Sequence, residues 1–225
     1  MNIVLVHGAY ADGSSWADVI EILQARGHRV TSVQNPLTSL ADDVAATRRV
    51  LDLQGGPTVL VGHSWAGTVI SEVGEHEAVT ALVYVAARAP DADEDYAALS
   101  ARYPTPPASQ GLEHASGFAQ LGEEAFVEDF ANGVDPVRAR VLYAVQGRIA
   151  DTLFASRTTV AAWRFKRCWY AVSQRDRTTD PDLERFLAGR MEATIIEVDS
   201  GHLSMITHPV EIADLISAAA EAGNA

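Results

Sequence analysis

The sequence predicts an α/β fold in which helices cover both faces of a six-stranded, mostly parallel, doubly wound sheet. Short runs of apolar and β-branched residues alternate with segments of helical period along most of the chain. This alternation stops over residues 90–164 and then resumes. The chain has 225 residues, of which 48% are hydrophobic, and this is enough for one sizeable domain with a full core.

Residues 1–89 contain the first four predicted strands, which cover 3–6, 29–33, 59–61 and 79–85. Between them lie predicted helices over 14–25, 40–53 and 65–73. The first helix has apolar residues at Trp16, Val19, Ile20 and Leu23, with Ser14 or Ser15 as the expected cap.

Residues 90–164 are predicted to form a helical cap, which we expect to act as a lid. The segment is rich in Ala, Asp, Glu and Pro, with helices over 123–130 and 136–145 and no convincing strand. The core then resumes with strands over 169–173 and 194–198, a helix after Asp180-Pro181, and a last helix over 209–220. The predicted division is therefore a core of 1–89 and 165–225 and a cap of 90–164.

Composition limits the classes of partner. The 17 basic and 30 acidic residues give a net charge of −13, which disfavours nucleic acids and anionic membranes. The single cysteine, Cys168, excludes an internal disulfide and suits a reducing compartment. No signal-peptide pattern, membrane-spanning stretch or metal-ligand spacing is present, so we expect a cytoplasmic protein that acts on a small molecule without metal. Whether it is a monomer or a homodimer stays open.

The hexapeptide Gly62-His63-Ser64-Trp65-Ala66-Gly67 directly follows the third predicted strand. A buried strand that runs into G-x-S and then into a helix is the setting of a nucleophile elbow, which holds a serine at the carboxyl end of a parallel sheet. The strand and helix backbones cross almost in contact, so the flanking residues must be small. The usual pattern has glycine at the position of Ala66. The alternative interpretation of Ser64 is a helix cap.

The ends of the last two predicted strands supply candidate partners for Ser64. Asp176 follows the fifth strand and His202 follows the sixth. Ligands of open α/β sheets bind beyond the carboxyl ends of the strands. We therefore predict Ser64 as nucleophile, His202 as general base and Asp176 as the acid that orients the imidazole. The alternatives are a loop histidine without a role and a surface ion pair between Asp176 and its flanking arginines.

Three other carboxylates compete with Asp176 as the orienting acid: Asp180, Asp182 and Asp199. Asp180 has a sufficient role as the cap of the helix that follows it. Asp199 lies too close in sequence to His202 to turn back onto its ring. Asp176 is therefore the favoured candidate.

The backbone amides of Ala9 and Trp65 are predicted to form an oxyanion hole. The first belongs to the loop after the opening strand, where Gly8 would permit close approach, and the second follows the nucleophile. A set of aromatic side chains could line an apolar substrate pocket, although core packing explains each of them equally well; they are Tyr10, Trp65, Phe118, Phe126, Phe130 and Tyr143.

Together these motifs resemble the α/β-hydrolase superfamily, and most of all its small bacterial serine esterases, which are similar to plant salicylate-type esterases and hydroxynitrile lyases. The matching stretches are residues 4–16, the elbow at Ser64, residues 176–178, 201–205 and 208–209. The resemblance implies the α/β-hydrolase fold and no cofactor. The hydroxynitrile lyases of this superfamily have a lysine after the catalytic histidine and a threonine in the oxyanion loop. This chain has Leu203 and Gly8 there, so cyanohydrin cleavage is not expected.

We therefore expect a serine hydrolase of carboxylesterase type that cleaves a small, largely apolar ester, thioester or lactone through an acyl-enzyme. One alternative is another reaction on the same triad, such as carbon–carbon cleavage, decarboxylation or tailoring of a natural product. Another is a ligand-binding protein that kept the fold without catalysis. The fold alone does not separate them, since this scaffold hosts many chemistries.

Overall fold

A computed structural model describes residues 1–223. The strands are β1 (Asn2–Val6), β2 (Arg29–Val33), β3 (Thr58–His63), β4 (Val79–Val85), β5 (Leu112–Ala115), β6 (Phe118–Leu121), β7 (Ile149–Ala150), β8 (Arg167–Ser173) and β9 (Thr194–Val198). The helices are α1 (Ala17–Ala25), α2 (Leu40–Asp52), α3 (Ala66–Val73), α4 (Tyr96–Ser100), α5 (Glu123–Ala125), α6 (Pro136–Ala144), α7 (Pro181–Arg190), α8 (Ser204–Thr207) and α9 (Pro209–Ala222).

Six strands form a parallel sheet in the order β2-β1-β3-β4-β8-β9, which confirms the predicted fold class. The chain first runs from β1 outward to β2 and then back past β1 to β3. Right-handed crossovers in these opposite directions put α1 and α2 on opposite faces. Helix α9 packs against α1, and α3 packs against α2. The reversal between β1 and β3 creates the crevice in which ligands of such sheets bind.

The centre of the sheet is the hydrophobic core. All residues of β1 and β3 are buried, and only one residue of β4 is half-buried, because helices cover both faces there. The edge strands β2 and β9 are largely exposed. The register places Val6 beside Gly62, so the loops that follow β1 and β3 begin side by side.

The first helix begins differently from the prediction. A 3₁₀ turn over Gly13–Trp16 precedes α1, and its cap is Asp12 rather than Ser14 or Ser15. The Asp12 carboxylate accepts a hydrogen bond from the backbone N–H of Ser14 at 2.7 Å. An aspartate directly before the turn supplies the same kind of acceptor as a serine cap.

The prediction that residues 90–164 contain no strand was wrong. Strands β5, β6 and β7 form a small antiparallel sheet. The tight turn between β5 and β6 is Ser116-Gly117, with φ of +53° and +82°. Two residues of positive φ are typical of a type I′ hairpin, and the Ser-Gly pair was the available signal. The two helices predicted in this segment occur, although the first is a turn of α5 continued by a π turn over Phe126–Phe130.

Candidate active site

Ser64 lies at the tip of a sharp turn between β3 and α3. Its φ is +54°, a left-handed conformation that costs free energy for a non-glycine residue and is typical of strained functional positions. The turn is held because the N–H of Ser64 donates to Val85 and its carbonyl accepts from Gly67 and Arg88. His63 and Trp65 are buried, whereas Ser64 is half-buried and lines a cavity.

The glycines of the elbow are required by close packing. A Cβ atom on Gly62 would lie 2.8 Å from the Ala66 carbonyl oxygen, and one on Gly67 would lie 1.8 Å from the carbonyl oxygen of Arg88. Both distances are too short for a side chain. Ala66, which departs from the usual pattern, fits as the first residue of α3, and Gly67 supplies the close crossing.

Asp176 and His202 lie at the ends of β8 and β9, and their buried side chains are joined by a hydrogen bond. His202 Nδ1 is 2.5 Å from Asp176 Oδ2, and both side chains are fully buried. The other carboxylate oxygen of Asp176 accepts from the N–H groups of Thr178 and Thr179 at 2.6 and 2.9 Å. His202 Nε2 is buried and has no hydrogen-bond partner within residues 1–223. The imidazole is therefore fixed through one nitrogen and leaves the other for chemistry.

The charged neighbours of Asp176 pair with other residues. Arg175 lies 2.7 Å from Asp199, and Arg177 lies 2.6 Å from Asp129. Asp180 caps α7, where it accepts from the N–H of Asp182 at 2.9 Å. The surface ion pair that competed with the functional interpretation of Asp176 is thus satisfied by other carboxylates.

Glu184, on α7, is a further buried carboxyl group beside Asp176. One of its oxygens accepts from the Ser173 N–H at 3.0 Å. Its other carboxyl oxygen, Oε1, is buried and has no hydrogen-bond partner within residues 1–223. Burial and then the negative charge of Asp176 raise the pKa of Glu184 well above its ordinary value. The raised pKa favours the protonated form of Glu184 beside the Asp176 carboxyl group. Sequence reasoning missed it, because one glutamate on a helix carries no distinguishing pattern.

His63 connects the elbow to the loop that carries His202. Its Nε2–H donates to the backbone carbonyl of His202 at 3.0 Å, and the two rings are 4.6 Å apart. Burial and then the neighbouring His202 hold the pKa of His63 well below its ordinary value, so its ring stays neutral. The residue next to Ser64 thus supports the backbone of the predicted base.

The loop after β1 lies directly against the nucleophile. A Cβ on Gly8 would lie 2.7 Å from the Cβ of Ser64, so this approach requires glycine. His7 fixes the loop: its Nδ1–H donates to the Gly8 carbonyl and its Nε2 accepts from the Asn35 N–H, both at 2.9 Å. The N–H groups of Ala9 and Trp65 donate to no other residue within 1–223. They remain available to an oxyanion.

A cavity of about 330 Å³ opens above Ser64. Of the six aromatic residues predicted for the pocket, Tyr10 lines it, and Trp65 lies behind it with its indole N–H donating to Asp43 at 2.8 Å. Phe126 and Phe130 are buried against each other and do not line this cavity. Tyr143 packs on Phe126, and Phe118 is 38% exposed on the outer hairpin.

The aromatic lining contributed by residues 90–164 differs from the predicted set. Tyr96, Tyr103 and Phe154 line the cavity. These residues belong to short helices and turns without a periodic pattern, so only their location in the cap could have suggested them. Arg88, which follows β4, also lines the cavity.

No cluster of three or more His, Cys, Asp or Glu side chains that could hold a metal ion occurs within residues 1–223. None of the helices in that range is long and apolar enough to cross a membrane.

The parallel sheet, the serine elbow after β3 and the His–Asp pair at the ends of β8 and β9 define a hydrolase class of α/β protein. The chain belongs to the Alpha/beta hydrolase family, whose sequence profile matches residues 3–215.

Two curated proteins match part of the chain. A pyrethroid hydrolase from Sphingobium wenxiniae is 33% identical over 99 residues, which are 38% of this chain and 35% of that protein. A carbendazim hydrolyzing esterase from Nocardioides sp. is 32% identical over 112 residues, which are 44% of this chain and 46% of that protein. The matched regions thus span less than half the length of either relative.

Solved structures match nearly the whole fold. A pyrethroid hydrolase from Sphingobium faniae JZ-2 superposes with a TM-score of 0.80 at 19% identity, over 99% of this chain and 98% of that chain. Polyneuridine aldehyde esterase gives a TM-score of 0.83 at 16% identity, over 96% of this chain and 98% of that chain. At these identities the likeness shows the fold alone.

Proposed function

We propose that this chain is a serine hydrolase of carboxylesterase type that cleaves a small, largely apolar ester, thioester or lactone through an acyl-enzyme on Ser64. The observation that carries the proposal is the fully buried pair of His202 and Asp176 at 2.5 Å, with His202 Nε2 unpartnered and Ser64 at a strained turn on the same edge of the sheet. The activities of the two partial relatives, a pyrethroid hydrolase and a carbendazim hydrolyzing esterase, support the same class.

In the proposed mechanism, Ser64 Oγ attacks the carbonyl carbon while His202 Nε2 takes the hydroxyl proton. Asp176 holds the Nδ1–H of the imidazole and stabilises the imidazolium that forms. The Ala9 and Trp65 amides bind the oxyanion, and each donor contributes roughly 3 kcal/mol to the transition state. The leaving group takes its proton from His202, and water then hydrolyses the acyl-enzyme by the same route.

Residues 90–164 are proposed to act as a cap that selects the substrate. Tyr96, Tyr103, Leu112, Leu121 and Phe154 support this role, since they line the cavity opposite Ser64. Their side chains are largely apolar, which suits an apolar acyl or alcohol group.

The test is hydrolysis of p-nitrophenyl acetate, butyrate and octanoate by the wild type, Ser64→Ala and Ser109→Ala. Ser109 lines the same cavity, but its hydroxyl donates to the Pro106 carbonyl at 2.7 Å. We expect turnover by the wild type and Ser109→Ala, and a loss of about 10⁴-fold or more in Ser64→Ala. A wild type without turnover on any ester, or a fully active Ser64→Ala, would contradict the proposal.

A further inference from the structure

Arg88 places a cation in the same cavity as Ser64. It follows β4, the strand next to β3, and its backbone N–H donates to the Ser64 carbonyl at 3.1 Å. Its own carbonyl packs on Gly67, where a Cβ would lie only 1.8 Å from it. The backbone of Arg88 is therefore fixed against the elbow, and its side chain lines the cavity beside Ser64.

Aromatic rings surround the guanidinium of Arg88. Its Cζ lies 4.1 Å from the ring centre of Phe154, 4.7 Å from that of Tyr96 and 5.5 Å from that of Trp65. Such faces attract a cation and hold it in place. They offer no acceptor comparable with a carboxylate, so they orient the guanidinium without neutralising it.

Within residues 1–223, Arg88 has no counter-ion. Among residues 1–223, three arginines are half-buried: Arg88, Arg138 and Arg190. Arg138 pairs with Asp18 and Arg190 pairs with Glu94, each at 2.7 Å. Within the same range, the Arg88 side chain makes neither an ion pair nor a hydrogen bond, and this sets it apart from the other two.

The other charged group that lines the cavity is Asp180, whose carboxylate caps α7 and is not paired with Arg88. The ring of Tyr96 faces the guanidinium, and Tyr10 lines the same cavity. Burial lowers the pKa of Arg88 from its ordinary value, but a guanidinium stays charged in proteins. A partly desolvated cation without a partner gains most from an anionic ligand.

We propose that Arg88 binds a carboxylate of the substrate, so that the preferred ester carries one negative charge a short distance from the scissile bond. The rest of the cavity remains largely apolar, and the guanidinium and the nucleophile elbow fix the two ends of the substrate. The inference rests on the proposed esterase function and narrows its substrate class.

The test compares esters that differ only in this charge. The first pair is the 4-nitrophenyl monoester of adipic acid and its methyl ester, which place the carboxylate or its neutral counterpart on the acyl side. The second pair is 4-acetoxybenzoate and methyl 4-acetoxybenzoate, which place it on the alcohol side. The ratio of kcat/KM for the anionic ester to that for its neutral counterpart is measured in the wild type, Arg88→Met, Arg88→Lys and Arg49→Met. Arg49 is an exposed residue of α2 and is the control for loss of one positive charge.

We expect the wild type and Arg49→Met to prefer the anionic member of at least one pair by about tenfold or more, the range for a hydrogen bond to a charged group. Arg88→Met should lower the ratio by roughly 10- to 100-fold. Arg88→Lys should keep part of it, since the charge remains but the fork geometry is lost. Equal or lower kcat/KM for both anionic esters in the wild type would overturn the inference, and the neutral esters would still report the esterase function.

Thermal stabilisation separates failure of this inference from failure of the esterase proposal. Adipate should raise the Tm of the wild type more than dimethyl adipate does, and Arg88→Met should lose that difference. Absence of turnover on all four esters would contradict the proposed function. Absence of stabilisation by adipate in the folded wild type would contradict carboxylate binding at Arg88.

Discussion

The two walls of the cavity differ in the interactions that hold them in place. The core wall, at the ends of β1, β3 and β8, is supported by buried hydrogen bonds such as His202 to Asp176 and His7 to Asn35. The wall formed by residues 90–164 is tied to the core by more exposed pairs, such as Arg177–Asp129, in which the arginine side chain is 51% exposed. Buried pairs depend strongly on geometry, whereas exposed pairs contribute little each.

We call the wall formed by residues 90–164 the cap wall. We expect substitutions on the core wall to change the reaction rate and substitutions on the cap wall to change substrate preference. Changes on the core wall should alter the rate for every substrate, because the reacting atoms meet there. Changes on the cap wall should alter which substrates fit and leave the chemistry intact. The predictions below test that division, in order of expected effect.

After loss of the nucleophile itself, Asp176→Asn should produce the largest decrease in rate on the core wall. An amide cannot hold the Nδ1–H tautomer of His202 as a carboxylate does, and the comparable change in a serine protease lowers kcat by about 10⁴-fold. We expect a loss of roughly 10³- to 10⁴-fold in kcat for p-nitrophenyl butyrate. The control is Asp199→Asn, at an exposed carboxylate paired with Arg175, which should stay near wild type. A variant of Asp176 with more than a tenth of wild-type kcat would refute its assigned role.

Gly8→Ala should have the next largest effect. The new Cβ would lie 2.7 Å from the Cβ of Ser64 and 2.9 Å from the carbonyl oxygen of His63, so the loop that carries the Ala9 amide must move. Loss of one oxyanion donor costs about 10²- to 10³-fold in kcat. Gly55→Ala is the matched control, because nothing lies within 4 Å of a Cβ there. Equal kcat values in the two variants would argue against the predicted oxyanion loop.

On the cap wall, Leu112→Ala should change preference more than rate. Leu112 and Phe118 belong to the same hairpin, but Leu112 lines the cavity whereas Phe118 does not. Enlarging the pocket should shift the octanoate-to-acetate ratio of kcat/KM by roughly 3- to 10-fold, as expected for a few methylene contacts. Phe118→Ala should leave that ratio unchanged. An identical ratio in the wild type and both variants would show that Leu112 does not determine substrate preference.

Glu184→Gln tests the raised pKa of the buried carboxyl group beside Asp176, and the measured quantity is the free energy of unfolding rather than the reaction rate. The folded-state pKa of Glu184 is raised, so the folded protein holds this proton more tightly than the unfolded chain does. Its contribution to stability is therefore complete below the ordinary glutamate pKa and is lost as pH rises through the folded-state pKa, by up to about 1.4 kcal/mol per pH unit.

Gln cannot ionise, yet it keeps an acceptor for the Ser173 N–H. Urea unfolding across pH 5 to 9 should therefore show Glu184→Gln gaining stability relative to wild type as pH rises. Glu221→Gln, at an exposed site of α9, should run parallel to wild type. A pH-independent difference between Glu184→Gln and wild type would show that Glu184 is not protonated in the fold.

The core could be predicted from sequence because its signals are local. Alternating strands and helices specify the sheet, and the ends of β3, β8 and β9 place Ser64, Asp176 and His202 on one edge. The same strand-end rule, applied to β4, points to Arg88. No catalytic pattern singles out an arginine there, because its significance depends on its having no paired carboxylate among residues 1–223.

The side chains with which the cap lines the cavity could not be predicted from sequence, for a physical reason. Its elements are short, and their side chains meet through long-range packing rather than through a period in the sequence. Phe126 and Phe130 therefore look like pocket residues in the sequence but pack behind Tyr10 and His202, with Phe130 5.3 Å from the His202 ring. Tyr96 and Tyr103 line the cavity from a segment in which no pattern was evident.

The measurement that tests the central claim most directly is covalent labelling by a fluorophosphonate, with the adduct located by peptide mass spectrometry. The account predicts a single adduct on Ser64, formed much more slowly in His202→Ala and absent in Ser64→Ala. An adduct on a different residue, or an unlabelled Ser64 in the folded wild type, would contradict the assignment of Ser64 as the activated nucleophile.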